Sequence, residues 1–98
     1  MEFTTEEKND EIIVRFSGEI DMLSIKNMKD SLFSLADRKK NIIIDFSNLD
    51  YLDSTGIGIL LTLNRMQLDN DCSLSLINVP DKIENILRLS SLNDILSS

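Results

Sequence analysis

Histidine is absent from the 98 residues, so the chain has no imidazole to serve as a general acid or base near neutral pH or to hold a metal. Most hydrolase mechanisms are thereby excluded. The single cysteine, Cys72, excludes an intrachain disulfide; flanked by Asp71 and Ser73 at a predicted strand start, it reads as a structural thiol. One proline and three glycines leave no stretch suited to a linker. Positive charge is scarce, with 10 Lys and Arg against 17 Asp and Glu and a net charge of −7. That balance argues against a duplex-binding surface, because Lys and Arg contacts with phosphate supply most of the affinity in such complexes. No nucleic acid partner is expected. The one basic cluster, Arg38-Lys39-Lys40, follows a predicted helix, where cations complement the negative end of the dipole. Long apolar runs are missing too. Ile57 to Leu61 is far short of a membrane span, and the acidic start from Met1 to Glu7 does not resemble a signal peptide. No membrane partner is expected, and the chain reads as cytoplasmic.

What is present is ordinary globular material, 42% apolar and 28% charged, enough for one domain over residues 1–98. Residues 2–6 read as an edge strand and Lys8-Asn9-Asp10 as a turn. In Glu11 to Ser17, Ile12, Val14 and Phe16 alternate as in a half-buried strand, which Gly18 is expected to end. Ser24 then serves as N-cap of a helix running to Arg38, with Ile25, Met28, Leu32 and Leu35 as its buried stripe. Asn41 to Phe46 is the central strand; its Ile42-Ile43-Ile44 run marks burial on both faces. A second helix spans Ser54 to Gln67, with Ile57, Leu60, Leu61, Asn64 and Leu68 recurring at helical spacing, until Asp69-Asn70-Asp71 breaks it. Ser73 to Ile77 is a further strand. Pro80 fits the first turn of a third helix, Asp81 to Leu89, and Leu92 to Leu96 reads as helical. The order β-β-α-β-α-β-α implies an α/β fold, a mixed sheet of four to five strands with helices packed against it.

Function is expected where the central strand turns into the second helix. There, Asp53-Ser54-Thr55-Gly56-Ile57-Gly58 places two hydroxyls and a small residue at a helix entrance. The first backbone N–H groups of a helix have no intrahelical acceptor, so Ser54 can cap them, and a phosphate on its hydroxyl would meet the positive end of the dipole. Thr55 competes with Ser54 as a phosphate acceptor. Gly56 and Gly58 either permit close approach of neighbouring groups or keep the surface open.

Four segments in this order resemble the STAS domain of bacterial anti-sigma factor antagonists. They are Gly18-Glu19-Ile20-Asp21, Ile42-Ile43-Ile44-Asp45-Phe46, Asp53-Ser54-Thr55-Gly56-Ile57-Gly58 and Leu92-Asn93-Asp94-Ile95-Leu96. The resemblance spans nearly the whole chain. It implies that Ser54 is phosphorylated by an anti-sigma factor that is itself an ATP-dependent serine kinase, and that a metal-dependent serine phosphatase removes the group. It further implies that Asp21 and Asp53 lie beside this serine, and that Asp53, Ser54, Thr55, Gly56 and Ile57 join Asp21 in the partner-binding surface. No catalytic residue, cofactor or bound metal is implied. The chain departs from the family pattern at Asn70-Asp71, where many members carry a Gly pair, and at Ser91, where many carry a Gly.

Other readings of the same residues are weaker. Asp-Ser/Thr-Gly is an aspartic protease signature, yet here both hydroxyl residues separate Asp53 from Gly56 and the motif enters a helix. Gly56-Ile57-Gly58 lacks the further Gly or Lys that a phosphate cradle needs. The remaining alternative is a STAS scaffold subunit of a larger signalling assembly or of a lipid-transport complex.

Overall fold

A computed structural model describes residues 2–88. Four strands form one sheet in the order β1-β2-β3-β4. β1 (Glu2–Glu7) and β2 (Glu11–Ile20) pair antiparallel, whereas β2 with β3 (Asn41–Leu52) and β3 with β4 (Leu74–Ile77) pair parallel. Parallel neighbours need a crossover. α1 (Met22–Lys26), α2 (Lys29–Ser34) and a 3-10 turn (Leu35–Arg38) supply the first, α3 (Ser54–Asp69) supplies the second, and α4 (Asp81–Arg88) follows β4. This is the expected mixed α/β sheet. The helix expected at Leu92 to Leu96 lies outside the described residues.

Register explains where the core sits. Ile12, Ile42 and Leu74 are neighbours across three strands, as are Val14, Ile44 and Leu76, and all six are buried on one face. Ile25, Leu32, Leu60, Leu63, Ile83 and Leu87 from the helices join the same cluster. Sheet and helices thus remove each other's apolar surface from water, at about 25 cal/mol per Å². Ile43 lies between the buried positions of β3 and is only half-buried. The strand is therefore not buried on both faces, as its unbroken isoleucine run implied; burial follows the pleat.

β3 does not end at Phe46 but continues to Leu52. The register shifts against β2 between Arg15 and Ser17 and again between Gly18 and Glu19, each time leaving β3 an extra residue. Those bulges change the buried set from every second residue to Phe46, Leu49 and Leu52. A strict period of two breaks there, which is why the segment resembles a turn in sequence. β2 likewise runs through Gly18, which adopts φ 89° beside a bulge, and ends only at Ile20.

The first helical segment is interrupted rather than continuous. Its stripe of Ile25, Met28, Leu32 and Leu35 is buried as expected, but α1 stops at Asn27, a residue that favours helix ends over interiors. Asp21, not Ser24, is its N-cap. In α3 the buried positions are Gly56, Leu60, Leu63 and Gln67, while Leu68 is 62% exposed and Ile57, Leu61 and Asn64 are half-buried. The stripe is rotated from the apolar count because two of its members are not apolar side chains. Gln67 is fully buried and its Nε2 donates to the carbonyls of Lys40 (2.8 Å) and Ser73 (2.9 Å), tying the helix to the entrances of β3 and β4.

Lys39 holds the left-handed conformation that closes the 3-10 turn, and the flanking Arg38 and Lys40 both pair with Glu7 of the hairpin, Lys40 at 2.6 Å. The basic cluster is thus a helix end, as its position suggested. After α3, Asp71 takes φ 59°, in the left-handed region that Asp and Asn visit more readily than most residues with a side chain.

Candidate functional site

The C-terminal ends of β2 and β3 bring the two acidic positions together. Ile20 pairs with Leu52, and the Asp53 N–H donates to the Ile20 carbonyl at 3.1 Å, so Asp21 and Asp53 leave the sheet side by side. Each then caps a helix. Asp53 Oδ1 accepts the Gly56 N–H at 3.0 Å, and Asp21 Oδ1 accepts the Ser24 N–H at 2.9 Å. An extended residue with a short carboxylate side chain is well suited to this, since it satisfies a donor that the helix itself leaves unpaired.

The Asp21 cap is reciprocal. Ser24 Oγ accepts the Asp21 N–H at 3.0 Å and has the Asp21 carboxylate and the Glu19 carbonyl within donating distance. The Ser24 N–H, reinforced by the Ser24 hydroxyl, holds the Asp21 carboxyl below its ordinary range against a smaller opposing effect of desolvation. Because the folded-state value is depressed, ionised Asp21 favours folding above its unfolded value near 3.9, and that contribution is lost as pH falls through the lower folded value. Asp21→Asn is therefore expected to melt below wild type at neutral pH, with the gap narrowing as pH is lowered from about 5 towards about 2. Melting curves across that range check this; a gap independent of pH would show that the charge does not hold the cap.

Ser54 is the first residue of α3 and is exposed, and its hydroxyl makes no hydrogen bond among the described residues. It is not the cap. Its own N–H and that of Thr55 have no intrahelical acceptor, so two donors remain at the helix entrance after Asp53 has taken the third. Thr55 and Ile57 are half-buried. Gly56 is buried: a Cβ built on it would stand 2.4 Å from Leu52 Cδ1 and 2.7 Å from Ile20 Cγ2. Gly58, by contrast, faces open space. The two glycines differ in role, one allowing the helix entrance to sit close on the sheet ends and the other demanded by no contact. Among the described residues no group of His, Cys, Asp and Glu could hold a metal, and no helix is long and apolar enough to cross a membrane.

Residues 2–97, which include both acidic caps and the serine after the second, match the family model of the STAS domain. This chain belongs to the STAS domain family. It is 28% identical over 97 residues to an anti-sigma-B factor antagonist of Staphylococcus aureus, covering 98% of this chain and 88% of that one. Against the anti-sigma-B factor antagonist of Bacillus subtilis it is 28% identical over 90 residues, covering 92% of this chain and 83% of that one. Its fold superimposes on the unphosphorylated anti-sigma factor antagonist SpoIIAA with a TM-score of 0.86 at 20% identity, covering 98% and 86% of the two chains.

The STAS domain presents one feature beside this site that periodicity does not flag. Met22 and Leu23, in the first turn of α1, are 64% and 81% exposed. Met22 borders a groove of about 410 Å³ between α1 and α3, whose lining also includes Lys26, Lys29 and Thr55. The signal available in sequence is the Met22-Leu23 pair between the capping partners Asp21 and Ser24, two apolar residues in the first helical turn before the buried Ile25.

Proposed function

We propose that this STAS domain is an anti-sigma factor antagonist that works by partner switching in the cytoplasm. Unphosphorylated, it binds an anti-sigma factor serine kinase through the surface around Asp21, Asp53, Ser54, Thr55, Gly56 and Ile57, and the sigma factor is released. The kinase transfers the terminal phosphoryl group of ATP to Ser54 Oγ: a P–O bond to serine forms, the bond to ADP breaks, and the hydroxyl proton is lost. The modified form no longer binds, and a metal-dependent serine phosphatase restores it by hydrolysis. The chain is thus a substrate and a regulator, not an enzyme.

The observation that carries this reading is the exposed, uncommitted hydroxyl of Ser54 at the entrance of α3, with Asp53 already supplying the cap. A kinase can reach the oxygen without taking the helix apart, and a phosphate there faces unpaired N–H groups and the positive end of the dipole. The names of the relatives support the antagonist role. Incubation with the anti-sigma factor kinase of the same genome and ATP should place phosphate on Ser54 by mass spectrometry; phosphate confined to Thr55 would reject the assignment. Because Ser54 is not a cap, Ser54→Ala should change stability by no more than about 0.5 kcal/mol. The variant should keep binding the kinase in the presence of ATP, and calorimetry with a pull-down checks both points.

A further inference from the structure

The groove between α1 and α3 carries two features that its surroundings lack. Its wall is apolar where Met22, Ile25 and Ile59 meet, and it contains two cations, Lys26 and Lys29. On this acidic protein Lys8, Arg15, Arg38, Lys40, Lys82 and Arg88 each lie within 4.0 Å of a carboxylate. Lys26 and Lys29 form no ion pair among the described residues, although Asp30 also lines the groove. Lys39 and Arg65 are unpaired as well but do not line it. A volume of about 410 Å³ falls within the range of sites that take up a ligand or a few side chains. Thr55 lines the groove and directly follows Ser54, so the groove and the phosphorylation position adjoin.

We infer that this groove receives an acidic segment of the partner kinase bearing an apolar side chain, the apolar group seated against Met22, Ile25 and Ile59 and its carboxylates against Lys26 and Lys29. The inference rests on the partner-switching reading and names the chemistry of the docking element. A basic segment would be drawn to most of a surface with net charge −7, but not to this groove, where two unpaired cations repel it. An acidic segment is repelled over most of the surface and attracted here, which fixes where it docks. The same placement gives the switch its sign. A phosphate on Ser54 puts about −1.5 to −2 charges at the rim of the groove, opposing a carboxylate held beside Lys26 and Lys29.

Titration calorimetry with the purified anti-sigma factor kinase of the same genome tests this. Lys26→Glu combined with Lys29→Glu reverses the groove's charge, and Arg65→Glu combined with Lys82→Glu makes the same change in net charge elsewhere. All four positions are exposed, so melting curves should stay near wild type. The groove variant is expected to bind about tenfold or more weakly than the control, with the difference shrinking as salt rises from about 0.05 to about 0.5 M. Met22→Ser, which leaves every charge in place, should also weaken binding about tenfold, and unchanged binding of this variant would overturn the apolar contact. A groove variant that binds as tightly as the control would overturn the inference while leaving partner switching intact. A wild-type chain that does not bind the kinase would overturn both.

Discussion

Phosphorylated on Ser54, the STAS domain is expected to lose at least about a hundredfold in affinity for the kinase while its fold stays in place. Two physical effects act in opposite places. Within the domain, the new charge sits at the first residue of α3, next to N–H groups that no helix carbonyl can reach and at the positive end of a helix of 16 residues. The site accommodates it locally. Towards a partner, the phosphate adds charge and bulk beside Asp21 and Asp53 on a surface that must be desolvated for docking. A penalty of about 3 kcal/mol for burying it already corresponds to more than a hundredfold in affinity. Amide NMR spectra of the two forms should differ around Asp21, Ser54 and the first turn of α3, with the rest of the sheet unchanged. Equal affinity of the two forms, or shift changes spread through the sheet, would reject a surface switch.

Gly56→Ala and Gly58→Ala should move stability in opposite directions although both add one methyl group to the same helix turn. At Gly58 the methyl enters open space, so only backbone entropy changes, and alanine should stabilise the helix by about 0.5–1 kcal/mol. At Gly56 the same entropic gain is outweighed. The methyl would overlap Ile20 and Leu52, each 1% exposed and enclosed by the core, and forcing them aside costs about 1–3 kcal/mol. Out of a total stability of about 5–15 kcal/mol that is a large effect. With roughly 4–8 °C per kcal/mol for a domain of this size, thermal melts should separate the two variants clearly. Displacing Ile20 also disturbs the carbonyl that holds the Asp53 N–H, so Gly56→Ala should weaken kinase binding beyond its effect on melting. A Gly56→Ala variant as stable as wild type would show that the close approach is not needed.

Much of the architecture is legible in short-range pattern because its causes are short-range. Alternation in Ile12, Val14 and Phe16, the spacing of Ile25, Met28, Leu32 and Leu35, and the breaker run Asp69-Asn70-Asp71 each report a local backbone period or its interruption. Those signals suffice for the element order and the α/β class. They fail where burial does not follow apolarity. Gln67 is buried with its amide donating to the carbonyls of Lys40 and Ser73, just ahead of β3 and β4, and Gly56 is buried because it lacks a side chain; neither counts as hydrophobic, so the α3 stripe is misread by a fraction of a turn.

By itself the chain determined the absence of histidine chemistry, the acidic character, the element order and a hydroxyl at a helix entrance, since each depends on residue identity and near neighbours alone. Tertiary structure decided which group caps which helix, how far β3 runs, and that Asp21 and Asp53 leave the sheet from neighbouring strand ends. The reason is that strand pairing joins residues far apart in sequence: only the register that sets Ile20 against Leu52 places both acids at one edge, and only the bulges in β3 return Leu49 and Leu52 to the core. With Asp53 taking the cap through the Gly56 N–H, the Ser54 hydroxyl is left facing solvent beside the α1–α3 groove. That exposure follows from how two helix entrances pack on neighbouring strands, which no local period encodes.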